Sequence, residues 1–309
     1  MNAIFTICTN SYLAQAIVLS ASVKRFAKDY KFYLFLADEL DPDISYNDFP
    51  NIEFVLAKSL PIDFFSLVKK YNIIELNTCI KGTCFKYLFN EKGAEKVHYF
   101  DPDIELFEDI DTLDQHFDDA AILLTPHIVS PISWQEGSPN ENLFLNHGLY
   151  NLGYLGLAKK GDYMNLLDWW ENRTLTMGYY KTKEGLFVDQ LWINYVPLFY
   201  PESSKILFDK GYNMGPWNLH ERALSQKDGK FYVNKTVSLK FYHFSSYKHN
   251  RHEISGNYRY TFASNPDMRQ LYDDYQQKMI AAGVDNFVGK TWAYEQKKSW
   301  FSKLFKKRR

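Results

Sequence analysis

Cysteine is scarce in this 309-residue chain, which has only Cys8, Cys79 and Cys84. Three thiols are an odd number and follow no metal-ligand rhythm, which excludes a disulfide scaffold and points to a reducing compartment. No run of about 20 apolar residues occurs, so no segment is expected to span a bilayer. The first 23 residues lack a basic leading region, and Asn10, Ser11 and Gln15 interrupt their apolar character, so no secretory leader is expected. The resulting expectation is a cytoplasmic protein. An excess of one charge is also missing. Lys and Arg number 36 against 37 Asp and Glu, a net charge of −1, which excludes nucleic-acid binding driven by bulk electrostatics. Glycine loops that cradle phosphates are absent too. Cys8-Thr9-Asn10-Ser11-Tyr12 stands where G-x-G-x-x-G would follow a first strand, and no G-x-x-x-x-G-K-[ST] occurs.

Aromatic residues, in contrast, are plentiful at 17%, with 23 Tyr and 24 Phe. Rings stack on sugars, but they also fill cores, and composition alone favours the core. The runs 3–9, 32–37 and 52–56 read as short buried strands, with helical spacing over 12–26 through Leu13, Ile17, Leu19 and Val23. Strand, helix, strand, strand opens a parallel, Rossmann-like α/β sheet flanked by helices. Helices are expected over 64–71, 74–89, 163–173 and 186–196, and strands over 120–126, 149–157 and 239–244. Glycines 153 and 156 inside a strand mark a close approach by a ligand or another backbone. Without repeats or low-complexity linkers, residues 1–265 read as one principal domain and 266–309 as a helical extension.

The sequence His98-Tyr99-Phe100-Asp101-Pro102-Asp103-Ile104 places two carboxylates at the end of an apolar strand. In an extended segment, side chains at i and i+2 point the same way, so Asp101 and Asp103 share one target. Like charges this close repel unless a cation lies between them, and Mg²⁺ or Mn²⁺ takes oxygen ligands of this kind. A bare D-x-D is more often a solvated turn. The position matters here, because ligands of such sheets bind beyond the carboxyl ends of the strands, where Thr9, Asn10 and Asp38 also fall.

Four strings in order, Tyr99-Phe100-Asp101-Pro102-Asp103, Tyr150-Asn151-Leu152-Gly153, Val188-Asp189-Gln190-Leu191-Trp192 and Phe241-Tyr242-His243-Phe244, resemble the GT-A-fold retaining glycosyltransferases of the family-8 type. That group holds glycogenin-like and lipooligosaccharide galactosyltransferase enzymes, and the likeness is narrowest to a bacterial branch acting on surface polysaccharides. The resemblance covers roughly residues 1–250. It implies a GT-A Rossmann-like mixed sheet and transfer of a hexose, with retention, from a nucleotide sugar such as UDP-Glc or UDP-Gal to a glycan or lipid-linked acceptor.

Carried over by residue, the resemblance implies that Asp101, Asp103 and His243 ligate Mn²⁺ or Mg²⁺. Thr9, Asn10 and Tyr12 would cradle the base and ribose, with Asp38 a further contact or simply a loop carboxylate. Lys86 would lie near the diphosphate and Asn151 at the donor sugar. Asp189 and Gln190 would sit beside the anomeric carbon and orient the sugar for a front-face path, since an amide is a poor nucleophile. One departure concerns the loop after His243. Ser246 stands where the family places glycine, and Lys248 comes one residue before the family's diphosphate lysine, so Lys248, His249 and Arg251 all stay open for that role. Trp217 suits acceptor stacking or anchors its loop, and Trp134 with loop 130–142 suits a lid.

Two other classes stay in view: a catalytically silent nucleotide- or carbohydrate-binding module of a polysaccharide assembly complex, and a nucleotidyltransferase, which would want a glycine- and lysine-rich loop after the first strand. At the carboxyl end, Trp300, Phe301, Leu304 and Phe305 share one helical face among Lys297, Lys298, Lys303, Lys306, Lys307, Arg308 and Arg309. This pattern is that of an interfacial helix on anionic lipid or of a disordered basic tail. The first reading places the protein peripherally on the inner face of the plasma membrane.

Overall fold

The computed structural model describes residues 1–133, 137–251 and 253–295; Trp134 and the basic aromatic tail from Trp300 lie outside the described residues. Strand β1 (Asn2–Cys8) is buried from Ala3 onward, as a central strand covered on both faces must be. It pairs in parallel with β2 (Tyr30–Leu36) and β4 (Lys96–Phe100), and β2 carries β3 (Glu53–Leu56). On the other side of β4 lie β7 (Tyr154–Ala158), β6 (Ile122–Leu124) and β10 (Ser204–Ile206), so the sheet order is β10-β6-β7-β4-β1-β2-β3. Strand β7 runs antiparallel to both neighbours and makes the sheet mixed. The Rossmann-like mixed sheet expected from the sequence is the one observed.

One face is covered by α1 (Leu13–Phe26), α9 (Arg269–Ala281) and α10 (Val284–Phe287), which share one core. The other face is covered by α2 (Phe64–Lys70), α3 (Ile73–Cys79), α4 (Lys81–Asn90) and α7 (Tyr163–Met177). The carboxyl-terminal helices thus pack directly on α1. Smaller elements decorate the rim: α5 (Asp111–Asp114), α6 (Glu141–His147), α8 (Val196–Phe199) and a meander of β11 (Leu224–Lys227), β12 (Lys230–Val233) and β13 (Val237–Ser238). No helix among the described residues is long and apolar enough to cross a membrane.

Three elements differ from the sequence reading. The helix expected over 74–89 is two helices. Asn72 and Glu75 form a reciprocal capping box that starts α3, and the chain breaks at Ile80 before α4 restarts at Lys81. The strand expected over 149–157 begins only at Tyr154, because Asn151 Oδ1 accepts from Gly153 N at 3.1 Å and closes a turn. The helix expected over 186–196 is instead strand β9 (Leu186–Phe187), hairpinned to β8 (Tyr180–Lys181), followed by a 3-10 turn over Leu191–Tyr195. The aromatic edge contact between Tyr180 and Phe187, with centroids 4.9 Å apart, stabilises the hairpin over the helix.

A partly buried polar network ties β4 to α5. Asp114 accepts from Tyr30 Oη at 2.7 Å, His98 Nε2 at 2.9 Å and Lys96 Nζ at 3.0 Å. Burial pushes the Asp114 carboxyl up, but the hydrogen bonds from His98, Tyr30 and Lys96 outweigh it and hold the group at about 2, below its ordinary 3.8. A carboxyl depressed in the folded state stabilises the protein above its unfolded value, and that contribution vanishes as pH falls through the folded one. Wild type is therefore expected to lose about 2 kcal/mol between pH 4 and pH 2 that an Asp114→Asn variant does not lose. Urea titrations at the two pH values measure this, and parallel losses in both proteins would contradict it.

Candidate active site

At the end of β4 the chain does not stay extended. Asp101 N donates to Gly153 O at 2.8 Å, and Ile104 N to Asp101 O at 3.1 Å, so residues 101–104 form a turn. The carboxylates still converge, through the turn and not through the alternation of a strand. Strand β5 (Ile104–Leu106) then pairs antiparallel with β14 (Phe241–His243), placing His243 opposite Ile104. His243 Nε2 lies 3.0 Å from Asp103 Oδ1 and 3.7 Å from Asp101 Oδ2. Against the opposing effect of burial, Asp103 and Asp101 hold the imidazole above its ordinary value.

These three groups meet on the wall of a cleft of about 830 Å³ at the carboxyl end of β1 and β4. The cleft is also lined by Thr9 and Tyr12, by His147, Tyr180, Phe187 and Gln190, and by Ser245, Ser246 and Asn257. A separate hollow of about 550 Å³ at the other end of β2 has Lys24, Lys28, Lys31 and Glu53 as its charged lining, with no converging carboxylates.

Beneath the wall lies a residue that the sequence reading passed over. Lys81, the first residue of α4, is buried; its Nζ sits 2.8 Å from Asp189 Oδ2 and 3.7 Å from Asp101 Oδ1, donates to Leu152 O at 2.9 Å and lies 4.2 Å from the centre of the Tyr99 ring. Burial lowers its affinity for a proton, yet Asp189 and Asp101 more than restore it, so the ammonium stays above its ordinary value. Burial pushes Asp189 up, with Lys81 pulling the other way. Lys86, assigned in the sequence reading, points elsewhere: it pairs with Asp168 at 2.7 Å and with Glu171 on α7. The signal was helical phase. Lys81 falls in line with Cys84, Phe85 and Leu88 on the buried face of α4, and Lys86 falls off it.

Other assignments shift as well. Asp189 is 1% exposed and does not line the cleft; the turn before it holds Val188 at φ +40°, a strained conformation for a β-branched residue. Gln190 does line the cleft, but both ends of its amide are engaged, Oε1 by Leu152 N at 2.8 Å and Nε2 by His147 O at 2.9 Å. Asn10 and Asp38 are buried frame residues: the Asn10 amide bonds Glu39 O and Tyr46 Oη, while Asp38 accepts from the backbone of Asn10, Glu39 and Ala293. Trp217 is a buried anchor, donating from Nε1 to His127 O at 2.9 Å and presenting its ring at 88° to that of His243. Asn151 sits in the cleft wall with its amide bonded on all sides. Ser246 lies at φ +62°, the left-handed region that favours glycine. Of the three open basic residues, His249 faces Asp285 at 3.3 Å, Arg251 faces Glu253 at 3.6 Å and Lys248 is exposed; none lines the cleft.

Asp101, Asp103 and His243 offer ligand atoms all within 4.8 Å of one another. Two carboxylates and an imidazole suit Mn²⁺ or Mg²⁺. Lys81 is shared by Asp189 and Asp101, and Asp103 faces His243, so three carboxylates gather around one permanent cation, a surplus of negative charge that a divalent ion would offset. The residues present fit a divalent ion.

No protein-family model matches the chain. Over 182 residues it is 29% identical to the uncharacterized protein YfnF of Bacillus subtilis (strain 168), a match that spans 58% of this chain and 59% of that protein. Among solved structures it is similar to the galactosyltransferase LgtC in complex with donor and acceptor sugar analogues, at 16% identity and TM-score 0.42, over 69% of this chain and 76% of that one. It is also similar to mouse xyloside xylosyltransferase 1, at 16% identity and TM-score 0.47 over 79% and 97% of the chains. A third is the glycosyltransferase GlyE of Streptococcus pneumoniae TIGR4, at 14% identity and TM-score 0.49 over 98% of this chain and 64% of that one.

Removing one member of a buried ion pair strands its partner. Lys81→Met is therefore expected to destabilise the protein by roughly 3–5 kcal/mol, and adding Asp189→Asn to recover much of that loss. Denaturant titrations of the two single variants and the double variant provide the cycle, and additive losses would show that the two groups do not act as a pair.

Proposed function

We propose that this protein is a metal-dependent retaining glycosyltransferase that moves a hexose from a nucleotide sugar, UDP-Glc or UDP-Gal, to a glycan or lipid-linked acceptor in cell-surface polysaccharide synthesis. The observation that carries the reading is the convergence of Asp101, Asp103 and His243 on one cleft, at the place and in the order that the four sequence motifs imply. A divalent cation held there supplies neutralisation of the charge that builds on a leaving diphosphate.

The chain's own residues divide the remaining work. Tyr12, half exposed on the cleft flank beside Thr9, offers its ring to a base. Gln190, fixed by Leu152 and His147, presents a preorganised edge to the sugar, so no reorganisation is needed as the reaction proceeds. Asp189 is sealed against Lys81 and away from the cleft, which argues against a double displacement in which it attacks the anomeric carbon. That leaves the front-face path, in which the departing phosphate takes the acceptor proton. Tyr180 and Phe187, which both line the cleft, form an aromatic edge suited to an acceptor sugar ring.

With UDP-Glc or UDP-Gal, UDP release is expected only when Mn²⁺ or Mg²⁺ is added, and Asp103→Ala should lower it on the order of 10³-fold with unchanged circular dichroism. Metal-dependent turnover that survives in the variant would sink the assignment. Donor binding by wild type with no turnover would favour the silent binding module.

The basic aromatic tail is proposed, from its sequence, to hold the protein on an anionic membrane surface on the cytoplasmic side. Deleting Trp300 to Arg309 is expected to weaken sedimentation with phosphatidylserine-containing liposomes and to leave hydrolysis of the soluble donor unchanged. Equal sedimentation of the truncated protein would disprove this role.

A further inference from the structure

The turn Asn151-Leu152-Gly153 serves the cation site from behind. Asn151 is buried, and its amide orientation is determined by its neighbours. Oδ1 accepts the backbone N–H of Gly153 at 3.1 Å and Asn213 Nδ2 at 3.0 Å. Nδ2 therefore points the other way and donates to His127 Nε2 at 3.1 Å. Burial pushes His127 down to about 3, so the ring is neutral and free to accept at that atom. The same Asn151 Oδ1 lies 3.3 Å from His243 Nδ1. Since Oδ1 is an acceptor, the proton in that contact belongs to His243 Nδ1, which leaves Nε2, facing Asp103 and Asp101, as the nitrogen that exchanges its proton for a cation.

Gly153 completes the arrangement by what it lacks. A Cβ at this position would come within 2.5 Å of His243 Nδ1 and Cε1 and 2.8 Å of Asn151 Oδ1. Contacts below 3 Å force a shift, and here the atoms that would move are the imidazole and the amide that orients it. Trp217, edge-on to the His243 ring with centroids 5.2 Å apart, closes the other side.

We infer that Asn151 and Gly153 are positioning residues for His243. The amide selects the Nδ1-protonated tautomer, and the missing side chain leaves room for the ring, so that Nε2 serves as the third ligand of a divalent cation. This rests on the metal site of the transferase reading and revises the expected role of Asn151, whose amide is engaged by protein groups. A metal-ligating histidine needs such a partner at its other nitrogen, and loss of one typically weakens metal binding 10- to 100-fold.

The test uses the full chain and Mn²⁺ alone, with free Mn²⁺ read by electron paramagnetic resonance. Asn151→Leu, close in shape and without an acceptor, is expected to weaken binding 10- to 100-fold. Gly153→Ala, which keeps every hydrogen-bonding side chain, is expected to weaken it at least tenfold by displacing the ring. Asn151→Asp keeps an oxygen facing Nδ1 and is expected to bind at least as tightly as wild type, a rescue that a merely structural role for the amide does not produce. A folded Asn151→Leu or Gly153→Ala that binds within twofold of wild type overturns the inference, as does an Asn151→Asp that binds tenfold more weakly. Should Asn151→Leu fail to fold, the other two variants decide. Wild type that binds Mn²⁺ but hydrolyses no nucleotide sugar sinks the transferase reading and leaves the His243 geometry standing. Wild type that binds no Mn²⁺ overturns both.

Discussion

One buried ammonium group holds the site together. Lys81 Nζ is where four separate segments meet: the start of α4 that carries it, the end of β4 through Asp101 and Tyr99, the turn before β7 through Leu152 O, and the turn after β9 through Asp189. Each alone would be costly to bury. A carboxylate out of water without a partner shifts its pKa or unfolds its surroundings, and an isolated ammonium does the same. Together they satisfy one another, which is why Asp189 tolerates almost complete burial and why the strained Val188 backbone persists beside it. The cleft wall is thus organised by a charge that the cleft itself does not expose.

This also explains which parts of the site were legible in the sequence. The pair Asp101 and Asp103 was readable because an apolar strand ending in carboxylates leaves few places for them but a sheet edge. His243 was readable through motif order, although the physical cause of its arrival, the β5–β14 pairing, lies in a register that no local pattern encodes. Lys81 and Lys86 were both visible, and only the phase of α4 separates them. That phase was obscured because one helix was read across Ile80, where there are two. Asn10 and Asp38 stand at the right strand ends, yet their polar atoms are taken by Glu39, Tyr46 and, from 255 residues away, Ala293. A contact of that sequence separation leaves no trace in a window of ten or fifteen residues.

The abundance of aromatic residues resolves in the same physical terms. The largest fully buried side chains include Tyr33, Tyr99, Tyr154, Tyr242, Tyr272 and Tyr275, so most of the ring content builds the core, as composition alone favoured. Part of it bears on the site. Phe244, next to His243, stacks on Tyr275 of α9 with centroids 3.6 Å apart and planes 6° from parallel, and Tyr242 Oη lies 3.0 Å from Tyr272 Oη. Helix α9 therefore fixes the strand that delivers His243. The carboxyl-terminal segment continues this role beyond the helices: Trp292 Nε1 donates to Ala37 O at 2.8 Å, and Tyr294 Oη donates to Glu39 Oε1 at 2.6 Å, fastening the end of β2 beside Thr9 and Asn10.

The loop after His243 makes a left-handed turn at a residue that is not glycine, Ser246. Glycine is favoured at Ser246 because the backbone there is left-handed, and a serine in that region costs roughly 1–2 kcal/mol. The turn is nevertheless made, and the Ser246 hydroxyl accepts from Asn257 Nδ2 at 2.8 Å, a bond that glycine could not form. That bond joins two segments of the loop at the cleft that Ser245, Ser246 and Asn257 help to line. Of the basic residues beyond it, His249 faces Asp285, and Arg251 faces Glu253 in a solvent-exposed pair of a kind worth about 0–1 kcal/mol. The left-handed turn at position 246 thus carries a side-chain tether of its own, from Ser246 to Asn257, at the cleft rim.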